Sequence, residues 1–147
     1  MTWNPDNKLA AWCYDKLRRD LMTPFQKNGF AEITWKLRAY KHAVIGDDIV
    51  ILKQGKRPTG IFAVGKIIGE AQLIHSSRQL TPAYRARLKI TKIVDPAEDF
   101  LLTEGECRDI LGDALVNCRA SGQLIPADKA KKLSQRLNTR AIASGRP

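Results

Sequence analysis

The sequence predicts an α+β fold, a small curved sheet or barrel flanked by helices. Three observations carry that reading. A helical apolar repeat opens the chain, short apolar or alternating segments with mostly short links fill its middle, and two helix patterns close it. With 147 residues, 44% of them hydrophobic, the chain suits one domain.

The elements follow in order. Asn4-Pro5-Asp6 reads as a helix start, with Asn4 or Asp6 capping and Pro5 where a missing N–H costs nothing. Leu9, Cys13, Leu17 and Leu21 recur at helical spacing with Trp12 alongside, until Thr23-Pro24 is expected to end the helix and Lys27-Asn28-Gly29 to turn. Residues 33–40 alternate as a strand, with Ile33, Trp35, Leu37 and Ala39 on one side. Gly46-Asp47-Asp48 turns into the apolar strand 49–52, and a polar loop of residues 54–60 leads to a strand at 61–68. Gly65 inside that strand signals a bulge or a close backbone approach. Tyr84, Ala86, Leu88 and Ile90 alternate with Arg85, Arg87 and Lys89, and the phase slips at Lys92, which predicts a bulge. Asp95-Pro96 closes that strand. Thr103 with Glu106 forms a capping-box pattern for a helix through Leu111. Residues 112–122 read as loop, and Ile125-Pro126 opens a last helix with Ala130, Leu133 and Leu137 on its apolar side. One domain over residues 1–138 with a flexible tail at 139–147 is expected.

The formal net charge of +10 is uneven: residues 73–94 carry no carboxylate, the C-terminal stretch is basic, and 95–125 is acidic. That asymmetry favours a polyanionic partner over a merely solvated surface. Much else is excluded. No apolar run approaches the roughly 18–20 residues of a membrane span. The polar start, with no apolar signal core, together with three scattered cysteines read as buried thiols, predicts a cytoplasmic protein. His42 and His75 lack partners at ligand spacing, so no metal is expected. No nucleophile elbow, phosphate-binding loop or Glu-x-Lys nuclease signature occurs, and no cofactor or catalytic residue is assigned.

Four local patterns say more together. They are Thr2-Trp3-Asn4-Pro5-Asp6, Trp35-Lys36-Leu37-Arg38, the stretch 45–65 with its Gly-Asp, Gln-Gly and Pro-Thr-Gly-Ile-Phe-Ala-Val-Gly pieces, and Asn117-Cys118-Arg119-Ala120-Ser121-Gly122 through Pro126. In this order the chain, over residues 2–138, resembles the EVE branch of the PUA-like superfamily. It is most similar to EVE-type domains at the N-terminus of HNH-nuclease, modification-dependent restriction proteins. It departs from them in having only Met1 ahead of the first motif, and Val116-Asn117-Cys118-Arg119 where a Trp-Asn-Pro-Gln sequence is usual.

The resemblance implies a non-enzymatic reader of a modified base in double-stranded DNA, flipped into an aromatic-walled pocket, with a separate or fused nuclease as partner. An enclosing pocket can test every edge of a base, whereas a methyl group inside a duplex is a small feature. Under it Trp3, Trp35 and Phe62 are candidate walls, and Asn4 and Ser121 candidate polar contacts. Arg38, Lys56, Arg57, Arg85, Arg87, Lys89 and Arg119 are candidate phosphate anchors. Plainer roles compete: Trp3 pinning the first helix, Asn4 capping it, Trp35 and Phe62 in the core, Ser121 in a turn, and the Arg85–Lys89 ladder as a solvated strand face. Trp12 reads as core. An RNA-binding PUA-like module and an ASCH-like nucleoside amidohydrolase are the alternative functions. 5-Methylcytosine, a bulkier cytosine derivative and N6-methyladenine are all open as the base.

Overall fold

Alternation in the central segments makes them strands with two unlike faces, and each face acquires its own core. In a computed structural model the described residues are 1–5, 13–75, 82–118 and 121–143, the last three without side chains. Strand β1 (Thr2–Trp3) precedes helix α1 (Tyr14–Leu17), a π-helical turn (Arg18–Met22) and α2 (Thr23–Asn28). Then come β2 (Ala31–Lys36), a 3₁₀ turn (Tyr40–His42), β3 (Asp48–Lys53), β4 (Gly60–Ile67), β5 (Gln72–Ile74) and β6 (Ala83–Ile93). Strand β7 (Leu102–Thr103) leads into α3 (Glu104–Leu111), α4 (Asp113–Val116) and α5 (Ala127–Ala143).

The strands form one mixed, curled sheet in the order β1-β3-β4-β6-β2, with β5 added to β6 and β7 to β4. Only β1 and β3 run parallel among the described pairs. One face buries Trp3, Ile33, Trp35, Ile51, Phe62 and Leu88 against Leu17 and Leu21 of the helical segment. The other packs Leu52 and Ile61 against Leu102, Cys107, Leu111, Val116 and Leu133. Burial pushes the Cys107 thiol up to about 11, so it stays protonated. Cys13, expected to be buried, is instead exposed at the start of α1.

Several local expectations hold. Thr103 and Glu106 complete a reciprocal capping box on α3. The β4–β6 register shifts between Val64 and Gly65, as Lys92 pairs with Val64 and Ile90 with Gly65. A Cβ on Gly65 would strike the Lys89 carbonyl oxygen, so the strand can approach this closely only as glycine.

Other elements correct the sequence reading. The helix does not stop at Pro24 but continues to Asn28, with Gly29 in the left-handed region at φ 77° as its cap. The π turn just before Pro24 already interrupts the i→i−4 ladder, so a residue without an N–H is tolerated there. Strand β2 ends at Lys36, because Arg38 and Ala39 give their N–H groups to Ser121 and Gly122 rather than to another strand. The stretch 112–122 is not all loop: α4 forms once Gly112 breaks from α3. Helix α5 passes Thr139 to reach Ala143, held there by a Thr139 hydroxyl bond to the Gln135 carbonyl and by Arg140 on Glu106 at 3.1 Å. The proposed helix start at Asp6 and the core position of Trp12 lie outside the described residues, as does Arg119.

Candidate nucleic-acid interface

Four segments far apart in sequence meet at one end of the sheet, and Ser121 joins three of them. Its Oγ accepts a hydrogen bond from Trp35 Nε1 at 2.6 Å and a longer one from the Thr2 amide at 3.4 Å. Its carbonyl accepts from the Arg38 amide at 3.0 Å, and the next carbonyl, of Gly122, accepts from Ala39 at 3.1 Å. Gly122, at φ 77°, lets the loop lie flat on Leu37: a Cβ there would come within 2.7 Å of the Leu37 Cα. The fourth segment enters through Gln54. Its amide donates to the Trp3 carbonyl at 2.7 Å, and its side-chain amide donates to the Val116 and Cys118 carbonyls at 2.8 Å each.

The neighbouring Lys53 is a buried lysine, satisfied by the Lys56 and Pro58 carbonyls, each at 2.7 Å from Nζ. Those bonds fold the loop that presents Lys56 and Arg57. Arg57 is largely spent on Glu104 at 3.3 Å. Hydrogen bonds from Arg108 first, and then from Thr59, hold the Glu104 carboxyl below its ordinary range, so this partner stays ionised at neutral pH.

The aromatic candidates are not equivalent. Phe62 is fully buried in the middle of β4 and belongs to the core, with no surface to offer a ligand. Trp3 is 3% exposed, wedged edge-on against Tyr14 at 5.2 Å and tilted against Phe62 at 5.3 Å. Trp35 retains 6% exposure and is the ring bound to Ser121. Asn4 is half-buried just beyond β1. Two tyrosines outside the candidate set come together: Tyr40 and Tyr84 stack face to face, centroids 3.6 Å apart, next in sequence to basic residues. Their only sequence signal is alternation, which sets Tyr84 on the same side as Ala86, Leu88 and Ile90.

The predicted basic ladder lies on the outer face of β6, opposite Lys36, Thr34 and Glu32 of β2. Arg87 is held by Glu32 at 2.8 Å, and Lys89 sits over the Phe30 ring at 4.6 Å. Among the described residues no ion pair engages Lys36, Arg38 or Arg85, which leaves them free to meet an anion. An open cleft of about 650 Å³ lies between α5 and the sheet and shares Leu37, Ala39 and Gly122 with the Ser121 surface. Aliphatic residues such as Val50, Val64, Leu133 and Leu137 form its walls, with His42 at its edge and no Phe, Tyr or Trp in its lining. Among the described residues no group of three or more His, Cys, Asp or Glu side chains could hold a metal ion, and no helix is long and apolar enough to cross a membrane.

No protein-family model and no curated protein matches the chain. Solved structures do. Human THYN1, in complex with DNA containing 5-methylcytosine, superposes with a TM-score of 0.55 over 95% of both chains at 14% identity. The chain has the EVE/PUA-like fold. A Pseudomonas syringae protein, PSPTO5229, matches at 20% identity over 92% of this chain and 97% of its own, with a TM-score of 0.49. In this EVE/PUA-like frame the Ser121 loop, the end of β1 and the segment after β2 form one surface with the Lys56 loop beside it.

Proposed function

We propose that this chain is a cytoplasmic, non-catalytic DNA-binding module that recognises a modified base, a methylated or otherwise modified cytosine, flipped out of the duplex. Trp35 supplies the flat wall, and Ser121 and Asn4 supply polar contacts. Trp3 and Phe62 form the packed support beneath. Lys36, Arg38, Lys56 and Arg85 hold phosphates. Cutting the DNA is left to a separate or fused nuclease.

The observation that carries the reading is the state of the Ser121 hydroxyl. Its oxygen already accepts two hydrogen bonds, from Trp35 and Thr2, and among the described residues nothing accepts its proton. A hydroxyl so placed is a donor aimed by the ring beside it. Cytosine presents acceptors, O2 and N3, along the edge that a flipped base exposes. The PUA-like fold shared with a protein seen on 5-methylcytosine DNA supports the same reading.

Ser121→Ala removes that donor and the bond that Trp35 Nε1 makes to it. It is expected to weaken binding to a duplex carrying the modified base by roughly tenfold, the scale of one buried hydrogen bond, while plain duplex keeps its weaker, salt-sensitive affinity. Fluorescence anisotropy with paired duplexes measures both. Equal weakening on both duplexes would return Ser121 to a purely structural turn.

A further inference from the structure

Two tyrosines from distant segments build one flat surface. The Tyr40 and Tyr84 rings lie parallel within 5°, and both residues are half-buried, so part of the pile meets solvent. Tyr40 packs against the core that holds Trp35 and Phe62, which anchors the pile. Tyr84 pairs directly with Leu73 of β5, and side chains so opposed project to the same face. Leu73 is 47% exposed. This end of the sheet therefore presents a ring pair with an open leucine beside it.

The charges around the pair favour a nucleobase over an apolar protein segment. No carboxylate occurs in residues 33–46 or 71–94, the two stretches that supply the rings, whereas Lys36, Arg38, Lys41 and Arg85 do. The β2–β6 register sets Lys36 opposite Arg85, so those two side chains share one face, while Tyr84, next along the strand, turns to the other. A ring on one side of a rim and two cations on the other suit a nucleotide, its base on the ring and its phosphate on the rim. Proteins hold unpaired strands by just this combination of stacking and positive charge.

Hydrogen bonds also place the pair beside the Ser121 site. The Leu37 amide donates to the Tyr84 carbonyl at 2.9 Å, and the next amide, of Arg38, donates to the Ser121 carbonyl at 3.0 Å. Residues 37–38 thus run between the two, with Tyr84 on one edge and Ser121 on the other. At about 4.8 Å per neighbouring strand, the Tyr84 and Ser121 backbones are roughly 10 Å apart. That is a few steps of a stacked strand, at about 3.4 Å each.

We propose that Tyr84, backed by Tyr40, is a platform for an unpaired base lying a few nucleotides from the modified one. This rests on the base-reading function proposed above and makes its preferred substrate a modified base next to a single-stranded stretch.

The test separates stacking from charge. The unaltered chain, Tyr84→Ala and Tyr84→Phe are titrated by fluorescence anisotropy against two substrates, each built in both polarities. Both are duplexes with 5-methylcytosine next to an end that continues as a short single-stranded tail. One tail carries thymines, and the other has the same sugars and phosphates without bases. Their charges are equal, so the ratio of the two affinities reads stacking, and any general loss of folding in a variant cancels in it. The expected ratio is roughly tenfold in one polarity for the unaltered chain and for Tyr84→Phe, and near one for Tyr84→Ala. A ratio near one for the unaltered chain overturns the platform and leaves the surface to an apolar protein partner. A tenfold ratio that survives Tyr84→Ala overturns it as well. The same substrates without the methyl group report on the base reading separately. Equal affinity with and without the methyl group defeats that function, while a tail effect lost in Tyr84→Ala would still uphold the platform.

Discussion

Trp3→Ala is expected to destabilise the protein by about 3–5 kcal/mol, the range for truncating a buried aromatic side chain. The ring is 3% exposed and bridges two parts of the first core, Tyr14 of α1 on one edge and Phe62 of β4 on the other. Removing it leaves a void between the helical segment and the sheet. It also detaches the short β1, whose pairing with β3 is limited to the register Thr2–Leu52 and Trp3–Lys53. Melting followed by circular dichroism measures the loss, and Trp3→Phe should recover part of it. An unchanged melting temperature would mean that Trp3 is not part of the framework and would restore it as a candidate wall. Trp35→Ala will destabilise too, at 6% exposure, so the informative change there is Trp35→Phe, which keeps a flat ring but gives up the bond to Ser121.

The second large effect is that of salt. If about four to six phosphates are neutralised, the slope of log K against log salt should be near −4 to −5, a loss of roughly ten-thousandfold to hundred-thousandfold for a tenfold rise in salt. The cations expected to act are Lys36, Arg38 and Arg85, which no carboxylate engages among the described residues; Lys56, on its braced loop, is expected to add to them. Arg87 and Arg57 are tied to Glu32 and Glu104 and should contribute less. Arg85→Ala should therefore flatten the slope by about 1, lowering affinity for modified and plain duplexes alike, whereas Arg87→Ala should change it little. Titration at several salt concentrations decides this. A slope near zero would remove nucleic acid as the main partner.

What the sequence made legible was local. The capping box at Thr103 and Glu106 needs only three-residue spacing, and the bulge near Lys92 shows as a phase slip in one strand. Gly65 announced a close approach without saying to what. The features that went unread depend on distant partners. Pro24 looked like a stop because the π turn ahead of it has no pattern of its own. Strand β5 is three exposed residues, and only its pairing with β6 makes it a strand. The exposed Cys13 had the right spacing for an apolar face, but α1 begins at Tyr14.

The candidate site divides the same way. Trp35 and Ser121 lie 86 residues apart, and no periodicity predicts that one donates to the other. They were named together because their motifs resemble one family in order and spacing. The resemblance could not distinguish a wall from its foundation. Burial sets Phe62 apart as pure core, whereas Trp3 and Trp35, at 3% and 6% exposure, belong to the same buried cluster and differ in that Trp35 is the ring bonded to Ser121. The ion pairs likewise separate the basic residues into engaged and available, where alternation alone treated Arg85, Arg87 and Lys89 as equals.

The most direct test of the central claim is an equilibrium competition among otherwise identical duplexes, one plain and the others each carrying a single modified base, with a matching RNA included. The account predicts that a duplex with a modified cytosine competes at least about tenfold more strongly than the plain one, a difference near 1.4 kcal/mol. Equal competition by every duplex, or stronger competition by the RNA, would contradict it.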